Sequence, residues 1–180
     1  MIALSLAEIA AVVGGDLRLA GSSTADTVVD GVVDTDSRNM VPGSVFVAKP
    51  GAETDGHRFV GSALAAGAAL AIVEHAVDDE ITQIIVPDVI VALADLAREV
   101  VARVRAAGDL KIVGITGSNG KTTTKNFLAR ILADEGETVA PINSYNNEVG
   151  APVTMLRVTY DTRFLAVSYT HLTLPTNREV

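Results

Sequence analysis

Apolar residues recur along the first 85 positions at spacings that alternate between those of a helix and those of a strand. Ser5 and Glu8 have the spacing of a capping box, and the apolar positions after Ser5 lie on one helical face up to the glycine pair at 14–15. Short apolar runs separated by turn residues predict strands near residues 16–19, 28–29, 32–33, 45–47, 68–73 and 84–86, and a helix over 59–66. Strands that alternate with helices in this way predict a small α/β unit over residues 1–85.

The next segment, residues 86–107, has the clearest helical period of the chain, and we expect a long helix over 91–107 that joins two parts of the molecule. Its apolar positions follow the spacing i, i+3, i+4, i+7, i+8 and i+11: Leu93, Leu96, Ala97, Val100, Val101 and Val104. Arginines lie on the opposite side, but Asp95 and Glu99 interrupt them. We therefore interpret that side as a solvated face and not as a nucleic-acid surface.

Residues 108–167 predict a second α/β unit. An apolar run at 112–115 predicts a buried strand, a helix begins near residue 121, and further strands follow at 138–140 and 162–167. Strand, helix and strand in this order predict a parallel sheet that binds ligands at the carboxyl ends of its strands. The apolar side of the helix is expected to be buried, and consists of Thr124, Phe127, Leu128, Ile131 and Leu132.

The loop between the first strand of this unit and its helix has the residues of a phosphate site. Glycines let the backbone approach an anion, the helix start adds positive potential, a lysine supplies charge, and a threonine hydroxyl suits Mg²⁺. The candidate nucleotide contacts are Thr116, Gly117, Ser118, Asn119, Gly120, Lys121, Thr122 and Thr123. The strict G-x-x-x-x-G-K-[ST] pattern fails, because Ile115 stands where its first glycine would be. The alternative is an ordinary strand–turn–helix connection with a lysine at its mouth.

Three further polar loops are candidate contacts for an anionic ligand. In residues 34–38, Ser37 and Arg38 offer a hydroxyl and a planar fork of donors that suit a diphosphate, although the loop could also be merely solvated. In residues 49–58, His57 is more simply explained as a solvated loop histidine. In residues 142–157, Asn146 and Asn147 crowd the carboxyl end of a strand, where the alternative is a turn that caps a helix from residue 148.

Composition limits what this chain can bind and where it acts. Its net charge of −8 and pI of about 4.8 argue against general nucleic-acid binding. No cysteine is present, which excludes disulfides and thiolate metal sites. No apolar run approaches the roughly 20 residues of a membrane span, and the N-terminus lacks the basic region of a signal peptide. We expect a cytoplasmic location.

Motifs across the chain are similar to those of the Mur ligase family. T-G-S-N-G-K-T-T at 116–123 resembles the family's ATP loop, while D-S-R at 36–38 and G-x-x-x-D-G-H-x-F at 51–59 resemble its N-terminal domain. The resemblance implies that Lys121 is catalytic and contacts the β- and γ-phosphates of ATP, that Thr122 holds Mg²⁺, and that Ser37 and Arg38 hold a uridine diphosphate.

N-x-x-N-N at 143–147 resembles the branch of the family that joins D-alanyl-D-alanine to UDP-N-acetylmuramoyl-tripeptide, with Asn146 and Asn147 lining the junction with the acceptor. The branch that adds a diamino acid is the alternative enzyme, and a non-catalytic nucleotide-binding module is the alternative from another class. The resemblance further implies a monomer that acts through an acyl phosphate in peptidoglycan precursor synthesis.

The expected fold is α/β, with a small N-terminal unit for the UDP substrate (1–85), a joining helix (86–107) and a truncated P-loop parallel-sheet unit for ATP (108–167). Residues 168–180 carry no apolar period and lack the acid that holds Mg²⁺ in the resembling enzymes. We expect this tail to be non-native. Because the family's third domain is not included, we expect the chain by itself to bind nucleotide weakly and to be inactive.

Overall fold

The computed structural model describes residues 1–51, 54–116, 119–141 and 148–168, which form two α/β units. The elements of the first unit are β1 Leu4–Ser5, α1 Leu6–Val13, β2 Asp16–Arg18, β3 Val28–Val29, β4 Val33–Asp34, β5 Val45–Val47, α2 Val60–Ala65, β6 Leu70–Val73, β7 Gln83–Ile85 and α3 Val89–Ala107, with 3₁₀ turns at Ser37–Asn39 and Gly56–Phe59. Those of the second are β8 Lys111–Ile115, α4 Lys121–Ala133, β9 Thr138–Val139, α5 Gly150–Met155 and β10 Phe164–Ser168. The predicted α/β class is confirmed.

The main sheet of the first unit has the strand order β2-β7-β6-β5-β4. Strands β4 to β7 run parallel, and β2 pairs antiparallel with β7. The register aligns Phe46 with Ala71 and Ile72 with Ile84, and every side chain of β5 and β6 is buried. Burial on both faces explains why these strands are continuous apolar runs. A separate antiparallel pair joins β1 to β3.

Helix α1 begins with the predicted capping box. The Glu8 amide donates to Ser5 Oγ at 3.2 Å, and the Ser5 amide donates to the Glu8 carboxylate at 2.9 Å. Arg103 of α3 donates to the other Glu8 oxygen at 2.7 Å. The Ser5 amide, followed by the Arg103 guanidinium, lowers the pKa of Glu8 to about 2. A single carboxylate therefore caps α1 and links it to α3.

Helix α3 lies between α1 and α5 and buries the predicted apolar side chains against both. It begins at Val89, two residues before the predicted start, because the Asp88 carboxylate caps it by accepting from the amides of Ile90 and Val91 at 2.7 and 3.0 Å. One hydrophobic cluster extends from Ile2 to Val167 and includes the buried side of α3. The helix is therefore part of the core that the two units share.

The sheet of the second unit has the strand order β8-β10-β9, and both pairs are parallel, as predicted. Strand β10 lies between β8 and β9, aligning Phe164 with Lys111 on one side and with Thr138 on the other. The carboxyl ends of the three strands therefore lie along one edge of the sheet.

The prediction that the apolar face of α4 is buried is wrong. Phe127 and Ile131 are 66% and 64% exposed, Thr124 is exposed as well, and Leu128 and Leu132 are half-buried. The fully buried side chain of α4 is that of Lys125. The helical period identified the apolar stripe correctly, but none of the described strands covers the part of the helix that carries Phe127 and Ile131. Among the described residues, no helix combines the length and the apolar composition that crossing a bilayer requires.

Candidate functional site

The candidate phosphate loop lies where the sequence predicted it, at the carboxyl end of β8. Thr116 follows the strand, and Asn119 and Gly120 lead into α4 at Lys121. Gly120 is the N-cap and has a φ of 76°, in the left-handed region that favours glycine, and its carbonyl accepts from the Thr124 amide at 2.9 Å. Gly117 and Ser118, which belong to the same prediction, lie outside the described residues. The turn therefore has the backbone shape that requires glycine at position 120.

The first turn of α4 presents groups that suit an anion. Helix N-termini carry amides without intrahelical partners and the positive end of the helix dipole, and α4 has 13 residues. Lys121 and Thr122 are half-buried and Thr123 is exposed, so these side chains have access to solvent at the helix start. The hydroxyl of Thr122 is a ligand type that Mg²⁺ accepts. This arrangement can hold phosphate groups together with a bound divalent ion.

Lys125, which sequence reasoning did not single out, lies one turn further along α4. Its side chain is 1% exposed, and its Nζ donates to the Pro141 carbonyl oxygen at 2.5 Å. Burial lowers the pKa of this lysine. The helical pattern gave no signal for it, because the apolar stripe of α4 predicted burial of a different side.

The polar loop after β4 is shaped by an aspartate that sequence reasoning left out. The Asp34 carboxylate accepts from the amides of Thr35 and Asp36 at 2.7 and 3.1 Å, and from the side-chain amide of Asn39 at 2.9 Å. A carboxylate that accepts a hydrogen bond from the amide two residues ahead forms an Asx-turn. Asp34 therefore fixes the shape of the segment that presents Ser37.

The guanidinium of Arg38 is paired with the Asp36 carboxylate. Its Nε donates to both carboxylate oxygens at 2.9 and 3.1 Å, and its Nη2 donates to one of them at 2.6 Å. These bonds, with the Arg38 amide, lower the pKa of Asp36 to about 2, and the carboxylate raises the pKa of Arg38. The Arg38 side chain is 87% exposed, so the Nη1 edge of its guanidinium remains accessible.

Ser37 and Arg38 line a cavity of about 640 Å³. The cavity is also lined by Thr35, Asp36, Phe59 and Ser62. Phe59, which is 42% exposed, was not among the predicted site residues. An exposed aromatic ring beside a guanidinium gives this cavity both a flat apolar wall and a cation.

The prediction that His57 is a solvated loop histidine is wrong, because its side chain is buried. Its Nδ1 is 2.6 Å from the Asp55 carboxylate, and its Nε2 accepts from the Glu74 amide at 2.8 Å. These partners define a neutral ring with its proton on Nδ1. Hydrogen bonds from the amide and ring of His57 lower the pKa of Asp55. The loop sequence did not reveal this burial, because the amide that binds His57 belongs to Glu74, 17 residues later in the chain.

The D-G-H segment is therefore a structural link between the second loop and β6. A Cβ on Gly56 would lie 2.5 Å from the Lys49 carbonyl oxygen, so only glycine fits there. His75 stacks on His57 with ring centroids 4.0 Å apart, and its ligand atoms lie close to those of Asp55 and His57. Both ring nitrogens of His57 have partners, the Asp55 carboxylate and the Glu74 amide, so hydrogen bonds account for the position of this ring.

The two units meet beside these loops. Lys49 Nζ lies 3.5 Å from the Glu148 carboxylate, which joins the second loop of the first unit to the segment before α5. A cavity of about 340 Å³ lies between the two units. Residues around β4, including Asp34 and Asn39, line it from the first unit, and residues of α5 together with Arg157 line it from the second. Asn146 and Asn147 lie outside the described residues, and α5 begins at Gly150 and not at residue 148.

Comparison with known proteins identifies the family. The model described as "Mur ligase family, catalytic domain" matches residues 31–107, and the model described as "Mur ligase middle domain" matches residues 115–172. The chain belongs to the Mur ligase family. The UDP-N-acetylmuramoyl-tripeptide–D-alanyl-D-alanine ligase of Mycobacterium tuberculosis (strain ATCC 25618 / H37Rv) is 42% identical over 92% of this chain and 36% of its own length.

Solved structures agree with this Mur ligase assignment. Crystal structure I of MurF from Acinetobacter baumannii superposes with a TM-score of 0.78 at 30% identity, over 93% of this chain and 36% of that one. The MurF ligase of Thermotoga maritima, solved in complex with ADP, gives a TM-score of 0.65 at 31% identity over 76% of this chain and 31% of that one. The chain thus spans about a third of the length of the relatives that it matches.

Proposed function

We propose that the protein is an ATP-dependent ligase of the MurF type, which joins D-alanyl-D-alanine to UDP-N-acetylmuramoyl-tripeptide in cytoplasmic peptidoglycan precursor synthesis. Residues 1–85 would hold the UDP end of the substrate, 86–107 would join the units, and 108–167 would hold ATP. The observation that carries this proposal is the left-handed Gly120 between β8 and the start of α4, at the carboxyl edge of a parallel sheet. The activity is assigned to the extended protein, meaning this chain continued to the length of its curated relatives.

The chemistry explains why ATP is required. An oxygen of the substrate's terminal carboxylate attacks the γ-phosphorus of ATP, the bond from that phosphorus to the β–γ bridging oxygen breaks, and ADP leaves with the electron pair. The amine of D-alanyl-D-alanine then attacks the acyl carbon, loses a proton, and expels phosphate as the amide forms. A free carboxylate resists attack by an amine, whereas the acyl phosphate carries a good leaving group.

In this mechanism the chain positions the reactants and balances charge. Lys121 would neutralise charge on the β- and γ-phosphates, and the backbone from Thr116 to Thr123 would cradle them. The hydroxyl of Thr122, half-buried at the start of α4 beside Gly120, fits a ligand of Mg²⁺. A bound Mg²⁺ would supply further charge neutralisation.

The other end of the substrate would lie in the cavity beside Ser37 and Arg38. The accessible Nη1 edge of Arg38 suits a diphosphate, and the Phe59 ring offers a surface on which a flat base could stack. Asn146 and Asn147 would line the junction with the acceptor. The expected form is a monomer.

A ligation assay with two acceptors tests the proposal. The extended protein is incubated with ATP, Mg²⁺, UDP-N-acetylmuramoyl-tripeptide and D-alanyl-D-alanine, and the amide product is measured by mass spectrometry. A parallel reaction supplies UDP-N-acetylmuramoyl-dipeptide with meso-diaminopimelate or lysine. Product in the first reaction alone supports the proposal, product in the second alone supports the diamino-acid branch, and nucleotide binding without product in either supports a non-catalytic module.

A substitution at Lys121 provides the control for the role of the phosphate loop. Lys121→Ala should abolish ligation while the circular dichroism spectrum stays unchanged, because the side chain is half-buried and outside the hydrophobic core. Ligation at an undiminished rate would remove Lys121 from the mechanism.

A further inference from the structure

The fully buried side chain of helix α4 is a lysine, whereas the large apolar side chains of the helix are half-buried or exposed. Of the 13 residues in Lys121–Ala133, the fully buried one is Lys125, at 1% exposure. Phe127 and Ile131, which would anchor an ordinary amphipathic helix, are 66% and 64% exposed. The environment of this amine is therefore one determinant of the position of α4 against the sheet.

One partner of that amine lies on the connection that follows β9. Lys125 Nζ donates to the carbonyl oxygen of Pro141, two residues beyond the end of β9. Helix α4 packs against β8, β9 and β10, so this bond joins the helix to the carboxyl edge of the sheet. Losing a hydrogen bond to a buried ammonium is unfavourable, so moving the helix away from Pro141 carries a free-energy cost.

The same helix carries the candidate phosphate groups. Lys121 lies four residues before Lys125, about 6 Å along the helix axis at the usual rise per residue. A helix moves as a stiff rod over one turn, so a shift at Lys125 also shifts Lys121 and the amides of the first turn. Displacements of about 1 Å in groups that bind reacting phosphates are costly for function.

We propose that Lys125 is a positioning residue for the nucleotide. Its bond to Pro141 fixes α4 against the end of β9 and thereby aims the first turn of α4 at the phosphates. The inference rests on the proposed function only in that a nucleotide is the ligand. The effect of Lys125 on the position of the helix can be measured without a ligand.

The absence of cysteine from this chain allows a precise chemical test. The variant Lys125→Cys is alkylated under denaturing conditions with 2-bromoethylamine, which rebuilds an amine of lysine's length, or with 1-iodopropane, which gives a neutral side chain of the same size, and is then refolded. Arg130→Cys, an exposed position on the same helix, receives both treatments as the matched control. The two products at each position differ only in the terminal group.

Two readouts are measured on the refolded 180-residue chain. The first is the exchange of backbone amides with deuterated solvent in peptides from 121–133 and 138–141, compared with peptides from β5 and β6. The second is the affinity for ADP with Mg²⁺, measured by calorimetry. We expect the propylated Lys125→Cys chain to exchange faster in 121–133 and 138–141 alone and to bind about tenfold more weakly or worse, with recovery in the aminoethylated chain.

Each other outcome has a defined meaning. Unchanged exchange and affinity in the propylated chain would overturn the proposal, and so would faster exchange throughout β5 and β6, which would indicate a general stability role. Weaker ADP binding with unchanged exchange would mean that the amine touches the ligand directly, which also contradicts positioning. If the unsubstituted chain binds no ADP, the nucleotide part of the proposed function fails for this chain, while the exchange data still decide whether Lys125 holds α4.

Discussion

Replacing His57 with alanine would test whether the D-G-H segment stabilises the fold or binds a ligand. The buried ring accepts a hydrogen bond from the Glu74 amide at 2.8 Å, and its removal leaves that amide without its partner. An unsatisfied, partly buried amide costs about 1–2 kcal/mol, and the lost packing of the ring adds roughly 1–2 kcal/mol. The bond to the exposed Asp55 carboxylate is left out of this sum. We therefore expect His57→Ala to lower the free energy of unfolding by about 3 kcal/mol.

Chemical denaturation in urea, followed by far-ultraviolet circular dichroism, gives that free energy. At about 2–4 °C per kcal/mol for a chain of this size, the midpoint of thermal unfolding should fall by roughly 6–12 °C. The control is His75→Ala, which removes the exposed partner of the stacked pair and should cost less than about 1 kcal/mol. A His57→Ala chain of unchanged stability that no longer binds a UDP-containing ligand would refute the structural interpretation and make His57 a contact residue.

Three shorter predictions address the other loops and helix α1. Gly56→Ala should destabilise the chain by more than about 2 kcal/mol in the same urea assay, because the added Cβ meets the Lys49 backbone and not a flexible side chain; an unchanged midpoint would contradict the observed close approach. Arg38→Lys and Arg38→Ala should each weaken UDP binding about tenfold, because a single ammonium cannot serve both Asp36 and a diphosphate; calorimetry on the chain measures this, and affinity of the Arg38→Lys chain within twofold of the parent would contradict it. Because the pKa of Glu8 is lowered from 4.5 to about 2, its contribution to stability is fully present above pH 4.5 and is lost as the pH falls through 2. Glu8→Gln should therefore show a flatter decline in stability over that range in acid titrations, and parallel curves for the two proteins would count against it.

The elements that the sequence predicted well are those whose determinants lie close together along the chain. The capping box of α1 needs only Ser5 and Glu8, and the burial of α3 follows from its own period. The parallel sheet of the second unit follows from the order of strand, loop and helix, although the insertion of β10 between β8 and β9 does not. Local signals determine an element and its amphipathic side, and the surface that covers that side is a tertiary property.

The failures have the same origin. The apolar stripe of α4 was located correctly, but the buried side of the helix is the side of Lys125. The burial of that side depends on where β9 ends, because Lys125 binds the carbonyl oxygen of Pro141. His57 could not be identified as buried because its partner amide belongs to the end of β6. Phe59 could not be assigned to the predicted site because the cavity forms only when the 3₁₀ turn at Ser37–Asn39 and helix α2 lie together.

The same contacts separate motif residues that form the loops from those that remain able to bind a ligand. Both ring nitrogens of His57 have partners inside the protein, so this ring cannot contact a ligand without first breaking a bond that shapes its loop, and Asp34 accepts three hydrogen bonds within its own loop. Arg38 uses Nε and Nη2 for Asp36 and keeps its Nη1 edge, while the hydroxyl of Ser37 has no hydrogen-bonding partner among the described residues. We therefore propose that ligand recognition in the first unit falls to Ser37, Arg38 and the exposed ring of Phe59. Substitutions at these three positions should change binding more than stability, whereas the reverse should hold at Asp34 and His57.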